Sequence, residues 1–455
     1  MKKQTDCSRL NSQPPPFFGS HPKFVDEYKK NSKCLIDIYL ANGAKLDQFF
    51  SEIHPEIYLL PRDILGQISD QYGGIVGLER INFPFSSYDF LIDEDADGVF
   101  DYIKSLSSFF RLGRIPQLCY LSPPRPTDDK NFSFWYCAPL FTHTRWLHSL
   151  IAGVLAEVIL ARNDFSIQER TPIVLAAAFH DIAMPAGGDS IVRIDKENLH
   201  EENNFLWTLK HEGIIEELEK RFCFDAAKAA GWVCGQGMFG KLIDIVDKMS
   251  YVAIDCYYVG LCHQGLIRKY CQKYPLVMDV WQDIRIDQET QQIYFTNPER
   301  LYRFLLLRAY EHSEFLLNPY SRALDFYLTK MTKVLYDKGL VNKEDLLTQD
   351  NFWLERQLQQ HFPETFKTII CPDELSWKKF ATEEEQLSFS KKIGDRLDHL
   401  DKIKGFTTGL SWLVESNGKI MSLSDAIEQS MVKKMEDVVE STKGYFVYYT
   451  SKIKK

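Results

Sequence analysis

The chain has 455 residues and a formal net charge of −9. It is longer than one hydrophobic core usually spans, so we expect two or three structural units. Its hydrophobic and charged fractions, 45% and 26%, are ordinary for a globular protein. The acidic balance argues against a surface that coats nucleic acid, although it leaves room for a local basic pocket that binds a small anion.

The same residues argue against a membrane or secreted protein. No apolar run is long enough to cross a bilayer, and no apolar segment follows the N-terminal lysines as it would in a signal peptide. The ten cysteines include no CxxC pair. We therefore expect a cytoplasmic protein with reduced thiols.

The predicted elements are mainly helical. Residues 1–20 are polar and Pro-rich, which is typical of disordered chain, and residues 25–75 show mixed helical patterning. An extended, turn-rich stretch follows from Ile81. Beyond it, apolar residues recur at three- and four-residue spacing, which indicates buried helix faces. The clearest helices are predicted at 145–161, 172–182, 204–221, 241–259 and 298–316.

Towards the C-terminus the pattern becomes mixed. The segment 284–295 alternates and contains turn formers, which predicts a hairpin, and 320–360 is again helical. Beyond residue 365 the pattern indicates a mixture of helices and strands, and GYFVYYTSKI predicts a strand. There is no internal repeat.

Two apolar helices present histidines. In RWLHSLIAGVLAEVIL, His148 borders an apolar stripe near the predicted helix start, and alone it is typical of a hydrogen-bonded core histidine. In TPIVLAAAFHD, Thr171 is the predicted N-cap and Pro172 the first helical residue. This second helix delivers His180 and Asp181 at its end, where they either cap the helix or enter a cleft as ligands.

A third helix carries acidic groups on one face. In DIVDKMSYVAIDCYYVG, Asp247, Tyr251 and Asp255 follow each other at four-residue spacing and share a side of the helix. Two carboxylates and a phenol within an otherwise apolar helix are hard to explain as a solvated stripe.

Together the three helices offer two imidazoles and two carboxylates. This set suits a divalent ion such as Mn, Fe, Mg, Ni, Co or Zn, and it leaves positions open for water and a phosphate oxygen. The candidate ligands are His148, His180, Asp181 and Asp247.

The order H…HD…D resembles the HD-domain metal-dependent phosphohydrolases. Within them it is most similar to the deoxynucleoside triphosphate triphosphohydrolases, namely the bacterial dGTPase-like enzymes and the SAM-and-HD-domain dNTPases. FFRLGRIPQL resembles that family's RLRxIxQL, THTRWLHSL its HxRxxHSLG, VDKMSYVAID its VDxxDYxxRD, and LLRAYEHSEF its RxxYxHK. The four strings fall in family order over about residues 80 to 355.

The resemblance implies an organisation and an activity. We expect a mainly α fold, with an HD-domain helical core at 81–355 that holds a few short strands and a hairpin. An N-terminal tail and helical extension would occupy 1–80, and a mixed α/β extension 356–455. The implied reaction cleaves a dNTP to a deoxynucleoside and triphosphate through water attack on the α-phosphorus. A homo-oligomer with nucleotide at subunit interfaces is also implied.

Substrate-binding roles follow residue by residue from the same resemblance. The residues that it places around the deoxyribose are Gln117, Leu118, Tyr251, Asp255 and Tyr310. Gln117 and Asp255 would bind the 3′-hydroxyl, and an aromatic ring under C2′ would favour deoxynucleotides. The residues that it places against phosphate are Arg145, Lys248 and His200. Taken singly, Tyr310 is also typical of a core residue and Lys248 of a solvated helix face.

The chain departs from the family directly after His180 and Asp181. The family's LGHGPFSHxFD is replaced by IAMPAGGDSIV, so Met184 and Asp189 stand where the family has two histidines, the second a general acid–base. Val192 replaces a supporting carboxylate. On the third helix, the first Asp and the Arg of DYxxRD are replaced by Ser250 and Ile254.

Two interpretations of this departure stay open. Asp189 either takes over proton transfer, together with His200 as the second catalytic candidate, or the chemistry has changed. A changed protein would hydrolyse a phosphomonoester or a cyclic nucleotide, or would bind a nucleotide as a regulatory protein without turnover. Gly187 and Gly188 either cradle phosphate with their N–H groups or form a plain turn.

Overall fold

The structure is a computed structural model that describes residues 57–61, 78–81, 88–93, 98–117, 143–258, 278–364, 366, 375–394 and 397–450. Over these residues it is mainly α, with small sheets and a mixed α/β region at the C-terminal end, which confirms the predicted fold class. The predicted disorder at 1–20 and the sugar-pocket candidate Leu118 lie outside the described residues. In the described part of the chain, no helix combines the length and hydropathy that spanning a bilayer would require.

A small antiparallel sheet opens the described chain. Its strands are β1 (Ile57–Pro61), β2 (Leu78–Ile81) and β3 (Tyr88–Asp93), and β3 lies between the other two. Strand β3 confirms the extended stretch after Ile81. Strand β1 corrects the expectation of helical patterning at 57–61, because isoleucine and tyrosine favour strands and Pro61 sits at the strand end.

Ten helices follow within the described ranges 98–117 and 143–258. They are α1 (Val99–Ser105), α2 (Ser107–Leu112), α3 (Arg145–Ala161), α4 (Ile167–Phe179), α5 (Asp189–Val192), α6 (Lys196–Leu199), α7 (Glu201–His211), α8 (Ile215–Phe222), α9 (Ala226–Val233) and α10 (Gly237–Tyr258). The next elements are a 3-10 turn (Met278–Asp283), the hairpin strands β4 (Ile284–Asp287) and β5 (Gln292–Phe295), and helices α11 (Pro298–Glu311), α12 (Pro319–Asp337), α13 (Lys343–Thr348) and α14 (Asn351–His361).

Helix α3 is the centre of the core. It has the predicted bounds, and almost all of its residues are buried, as expected for a helix that is apolar on every side. It packs against α4 and α10. The packing against α4 is close, since a Cβ added to Gly153 would lie 3.0 Å from the Cβ of Ala178. Small residues thus bring the two histidine-bearing helices together.

Helix α4 begins earlier than predicted. Its N-cap is Ser166, and Ser166 and Glu169 form a capping box that satisfies two otherwise unpaired N–H groups. Thr171 is therefore not the cap, and its hydroxyl donates instead to the carbonyl of Ile167 at 2.7 Å. Pro172 lies inside the helix.

Two other predicted helices are interrupted. The segment 204–221 is split into α7 and α8 at Gly213, whose φ of +71° belongs to the left-handed region that favours glycine. The segment 298–316 is α-helical only to Glu311 and ends in a π-helical turn, His312–Leu316. The hairpin predicted at 284–295 is confirmed by the antiparallel pairing of β4 with β5.

The C-terminal region is joined to the helical core by a shared sheet. Its elements are β6 (Leu375–Phe380), α15 (Glu383–Ile393), β7 (Leu397–Ile403), β8 (Leu413–Ser416), β9 (Lys419–Ser422), α16 (Leu423–Ala426), α17 (Gln429–Thr442) and β10 (Gly444–Thr450). Strand β10 confirms the predicted C-terminal strand and lies between β6 and β7. Strand β8 pairs in parallel with β5 of the hairpin, so Val414 lies in the same hydrophobic core as α3. The proposed unit boundaries at residues 80 and 355 stay predictions.

Candidate metal centre

Three side chains from three helices converge at one point. His148 lies one turn into α3, His180 directly follows α4, and Asp247 lies in the middle of α10. The Nε2 atoms of the two imidazoles are 3.0 Å apart. Asp247 Oδ1 lies 3.2 Å from the first Nε2 and 3.5 Å from the second. Donor atoms about 2.1 Å from a single ion lie roughly 3.0 to 3.4 Å apart, so these three atoms fit one divalent cation.

The hydrogen bonds behind the imidazoles decide where His180 carries its proton. His180 Nδ1 lies 2.7 Å from the carbonyl oxygen of Ala177, which only accepts, so Nδ1 bears the hydrogen. The Nε2 of a neutral His180 then directs a lone pair at His148 Nε2 and faces Asp247. A hydrogen or a metal ion must therefore lie between these electron-rich atoms, because their lone pairs repel each other.

The charges at the centre show the same demand for a cation. Burial opposes the positive charge of His180, but the carboxylates of Asp181 and Asp247 outweigh it and raise the pKa of this imidazole to about 9. Burial also works against the charge of Asp247, yet its hydrogen bonds to His148 and His180 hold the pKa of this carboxyl well below its usual range. The donor set therefore fits a divalent metal, which would replace the shared proton.

Asp181 stands beside the centre and is paired with Arg145. Its Oδ2 accepts a hydrogen bond from Arg145 Nη1 at 2.7 Å and lies 3.5 Å from His148 Nε2, while its Oδ1 lies 3.7 Å from His180 Nε2. Among the described residues, the mutually close donor group consists of His148, His180 and Asp247. That Asp181 is a fourth ligand stays a prediction.

Arg145 bridges two carboxylates. Its guanidinium is buried and forms ion pairs with Asp181 and with Asp189, although the Asp189 side chain is 65% exposed. Burial opposes its charge, but both carboxylates more than compensate and raise the pKa of Arg145 above its ordinary value. The residue predicted to bind phosphate is thus held between two anions.

The two glycines before Asp189 form a turn whose N–H groups are already used. Gly187 donates to Asn351 Oδ1 at 2.8 Å, and Gly188 donates to the Pro185 carbonyl at 2.9 Å. Gly187 has a φ of +90°, and an added Cβ would lie 2.4 Å from Ile191 Cγ1. Glycine is required here by backbone conformation and packing, so the phosphate-cradle hypothesis is wrong for these N–H groups as they stand.

The centre lies in the wall of a cavity of about 470 Å³. Eight of the predicted site residues line it, and they are Gln117, Arg145, His180, Asp181, Asp189, Asp247, Tyr251 and Asp255. Gln117 is buried, and its Oε1 has no hydrogen-bond partner among the described residues. A buried amide oxygen without a partner is costly, which indicates that this atom is available to a ligand or water.

The far end of the cavity holds a second, different carboxylate site. Asp255 Oδ1 lies 2.7 Å from His143 Nε2, and both residues are buried. Behind Asp255 lies Glu311, which is fully buried. Burial, reinforced by the neighbouring Asp255, raises the pKa of the Glu311 carboxyl well above its usual range. The neighbouring Asp255 carboxyl thus favours the protonated form of Glu311.

Tyr251 borders the same end. Its hydroxyl accepts a hydrogen bond from Arg308 Nε and lies 3.4 Å from His312 Nε2. Burial raises the pKa of Tyr251 above its ordinary value, so the phenol stays neutral.

Comparison with known proteins shows the fold. No family model matches the sequence, and neither does any curated protein. Among solved structures, a hypothetical protein from Aquifex aeolicus superposes with a TM-score of 0.62 at 15% identity, covering 82% of this chain and 96% of that one. A phosphohydrolase from Bacteroides thetaiotaomicron superposes with a TM-score of 0.60 at 16% identity, covering 82% of this chain and 100% of that one. The chain therefore shares its fold with these two proteins.

Besides His148, which is fully buried, three predicted site residues among those described do not line the cavity wall. Lys248 pairs with Asp244 one turn away and lies over the ring of Trp412. Tyr310 is partly buried against the main core. His200 precedes α7, and its Nδ1 lies 3.6 Å from Glu201. Their proposed roles stay predictions.

Several residues of the site were missed in the sequence. His143 and Glu311 stand inside two of the quoted strings, but nothing in their spacing relates them to Asp255. Glu201 also lines the cavity, where burial and the nearby Asp189 and Asp181 raise the pKa of its carboxyl to about 8. The sequence offered one sign of the two glutamates, namely that helix periodicity places a carboxylate on a buried face.

Proposed function

We propose that the protein is a metal-dependent phosphohydrolase that acts on nucleotides, with a dNTP as substrate and a deoxynucleoside plus triphosphate as products. One observation carries the proposal, namely the convergence of three donor atoms from His148, His180 and Asp247 in the wall of a cavity. The fold shared with the Bacteroides phosphohydrolase and the four HD-type strings support it.

In this proposal the three residues hold a divalent ion and Asp181 completes the set. A bound ion would orient the attacking water and offset the charge that develops on the phosphoryl oxygens. His180 is oriented for this role by its hydrogen bond to Ala177, which directs Nε2 toward the centre. Preorganised ligands of this kind lose little entropy when the ion binds.

Arg145 and Asp189 would handle the phosphate and the proton. Arg145 offers a planar guanidinium at the rim of the centre, which suits a phosphate with two accepting oxygens. Asp189 lines the cavity whereas His200 does not, so we assign the acceptance of a proton from water to Asp189. Lys248 would reach phosphate only after leaving Asp244.

The far end of the cavity would bind the sugar. Gln117 offers an unpaired amide oxygen and Asp255 a carboxylate, and both accept hydrogen bonds from a hydroxyl group. The ring of Tyr251 would pack against the sugar face, with Tyr310 behind it and Leu118 completing the pocket. The two ends together would span a nucleotide from its α-phosphate to its sugar.

Hydrolysis of a phosphomonoester is a second candidate, and the charge of the cavity favours it. The described wall carries seven acidic side chains and, besides its two histidines, two basic ones, Arg145 and Lys241. A triphosphate brings more negative charge into such a wall than a monoester does. The monoester reaction would use the same metal ligands and the same hydroxyl-binding end.

Product analysis tests the proposal. Purified protein is incubated with each dNTP, NTP and dNMP in the presence of Mn, Fe, Mg, Co, Ni or Zn, and the products are separated by chromatography. A preparation of the His180→Ala variant controls for contaminating phosphatases. Deoxynucleoside plus triphosphate is the expected result, whereas nucleoside plus phosphate from dNMP alone would support the second candidate. Binding without turnover under every metal would overturn both.

A further inference from the structure

Ser250 lies directly behind one of the proposed metal ligands. It is fully buried on α10, and its Oγ lies 2.7 Å from His148 Nδ1 and 2.9 Å from the carbonyl oxygen of Asp247. The hydroxyl therefore contacts the rear of one ligand and the backbone of another. Among the candidate ligands, His180 has a carbonyl in the corresponding place.

A hydroxyl differs from a carbonyl because it both donates and accepts. When Ser250 donates to the Asp247 carbonyl, its oxygen accepts from His148 Nδ1–H, and the lone pair of His148 is then on Nε2 and faces the centre. When Ser250 donates to Nδ1, the imidazole hydrogen lies on Nε2 and points at His180 and Asp247, and that tautomer cannot bind a metal ion. Passing from one state to the other takes a rotation of the hydroxyl and the transfer of the imidazole proton from Nδ1 to Nε2.

We propose that Ser250 is a positioning residue for the metal, whose hydroxyl adapts to either His148 tautomer and fixes the metal-binding one when an ion enters. The inference rests on the proposed metal centre. It assigns Ser250 an uncharged contact to the rear of His148, whereas a carboxylate in its place would only accept and would hold the Nδ1 hydrogen permanently. The ion would thus be bound by an imidazole whose rear partner carries no charge.

The test compares Ser250→Ala with Ser250→Thr, which keeps a hydroxyl, and with Ser149→Ala as a matched control. Ser149 is equally buried, lies next to His148 in sequence, and its Oγ has no hydrogen-bond partner among the described residues. Each protein is titrated with Zn²⁺ alone in competition with a chromophoric chelator, and its thermal midpoint is recorded to verify folding.

We expect Ser250→Ala to bind Zn²⁺ roughly 10-fold more weakly than the wild type. The loss of a hydrogen bond to the rear of a metal ligand commonly lowers metal affinity by about this factor. Ser250→Thr should stay close to the wild type, and Ser149→Ala should be unchanged. In histidine-labelled protein, ¹⁵N NMR should show the His148 hydrogen on Nδ1 with Zn²⁺ in the wild type and a mixture of tautomers in Ser250→Ala without metal. The His148 signal is identified by its absence from His148→Gln.

The outcomes separate the two proposals. If the wild type and Ser250→Ala bind Zn²⁺ equally and show the same tautomers, the role of Ser250 is overturned while the metal centre stands. If Ser149→Ala loses affinity as much as Ser250→Ala, the effect is general core disruption and the role of Ser250 is again overturned. If the folded wild type binds no Zn²⁺, both the metal centre and the inference fail.

Discussion

Asp247 and Asp255 are the same residue type on the same face of α10, two helical turns apart, and yet they form two different sites. Asp247 faces two imidazoles, whose hydrogen bonds hold its pKa far below normal despite burial. Asp255 is held by His143 and by the protonated Glu311. One end of the cavity therefore requires a cation, and the other presents an acceptor to a hydroxyl. The difference comes from the partners that other helices supply.

Asp247→Asn should give the largest effect. Removal of its charge weakens one of the three proposed donors and leaves Asp181 as the carboxylate nearest the imidazoles, so we expect metal affinity to fall by more than about 100-fold and hydrolysis to be lost with it. Metal content by elemental analysis after dialysis is the measurement. Asp244→Asn, one turn earlier and more exposed, should keep its metal. Equal metal content in Asp247→Asn and the wild type would remove Asp247 from the centre.

Asp255→Asn should separate the two sites. The metal content should stay at the wild-type level, whereas kcat/KM for the nucleotide should fall by about 10- to 100-fold, the cost of a lost hydrogen bond to a charged group. The loss should shrink for a substrate analogue that lacks the 3′-hydroxyl. If instead the variant discriminates against the analogue as strongly as the wild type does, Asp255 does not contact that hydroxyl.

Glu311→Gln should give the smallest effect, and one that depends on pH. The folded-state pKa of Glu311 lies well above its usual 4.5, so folding takes up a proton. The contribution of the Glu311 carboxyl to the free energy of unfolding is fully present below its unfolded-state pKa. It is lost as the pH rises toward the folded-state pKa, by at most about 1.4 kcal/mol per pH unit. Glutamine donates the same hydrogen bond without this loss.

The free energy of unfolding of Glu311→Gln, measured with urea, should therefore rise relative to the wild type as the pH rises above the usual pKa of a glutamate. Glu314→Gln, three residues further and exposed, removes a carboxyl without burial and should show no such trend. A difference that does not change with pH would mean that Glu311 is ionised in the folded protein.

The sequence allowed the helices to be predicted where local pattern decides them. Helix α3 has its predicted bounds because an unbroken apolar run can only be buried. The start of α4 was misplaced because Pro172 resembles a first helical residue, while the capping box at Ser166 lies a turn and a half earlier. Helices α7 and α8 separate at Gly213. A single glycine lowers helix propensity only modestly, so the sequence alone did not predict a break there.

The site divides in the same way. Helix periodicity brings Asp247, Tyr251 and Asp255 to the cavity, as their spacing predicted. Their partners could not be predicted, because contacts such as Asp255 with His143 join residues 112 positions apart, and Ser250 with His148 joins residues 102 positions apart. Spacing shows which side chains share a face, but it contains no information about the helix that covers that face.

The bridge from Arg145 to Asp181 and Asp189 makes anion binding a competition. An incoming phosphate that binds the guanidinium must displace the exposed carboxylate of Asp189. The apparent affinity is then the intrinsic affinity multiplied by the fraction of molecules in which Asp189 has already turned away. The same displacement releases Asp189 next to the phosphate. Binding of the phosphate to Arg145 and release of the candidate base from Arg145 would therefore occur together.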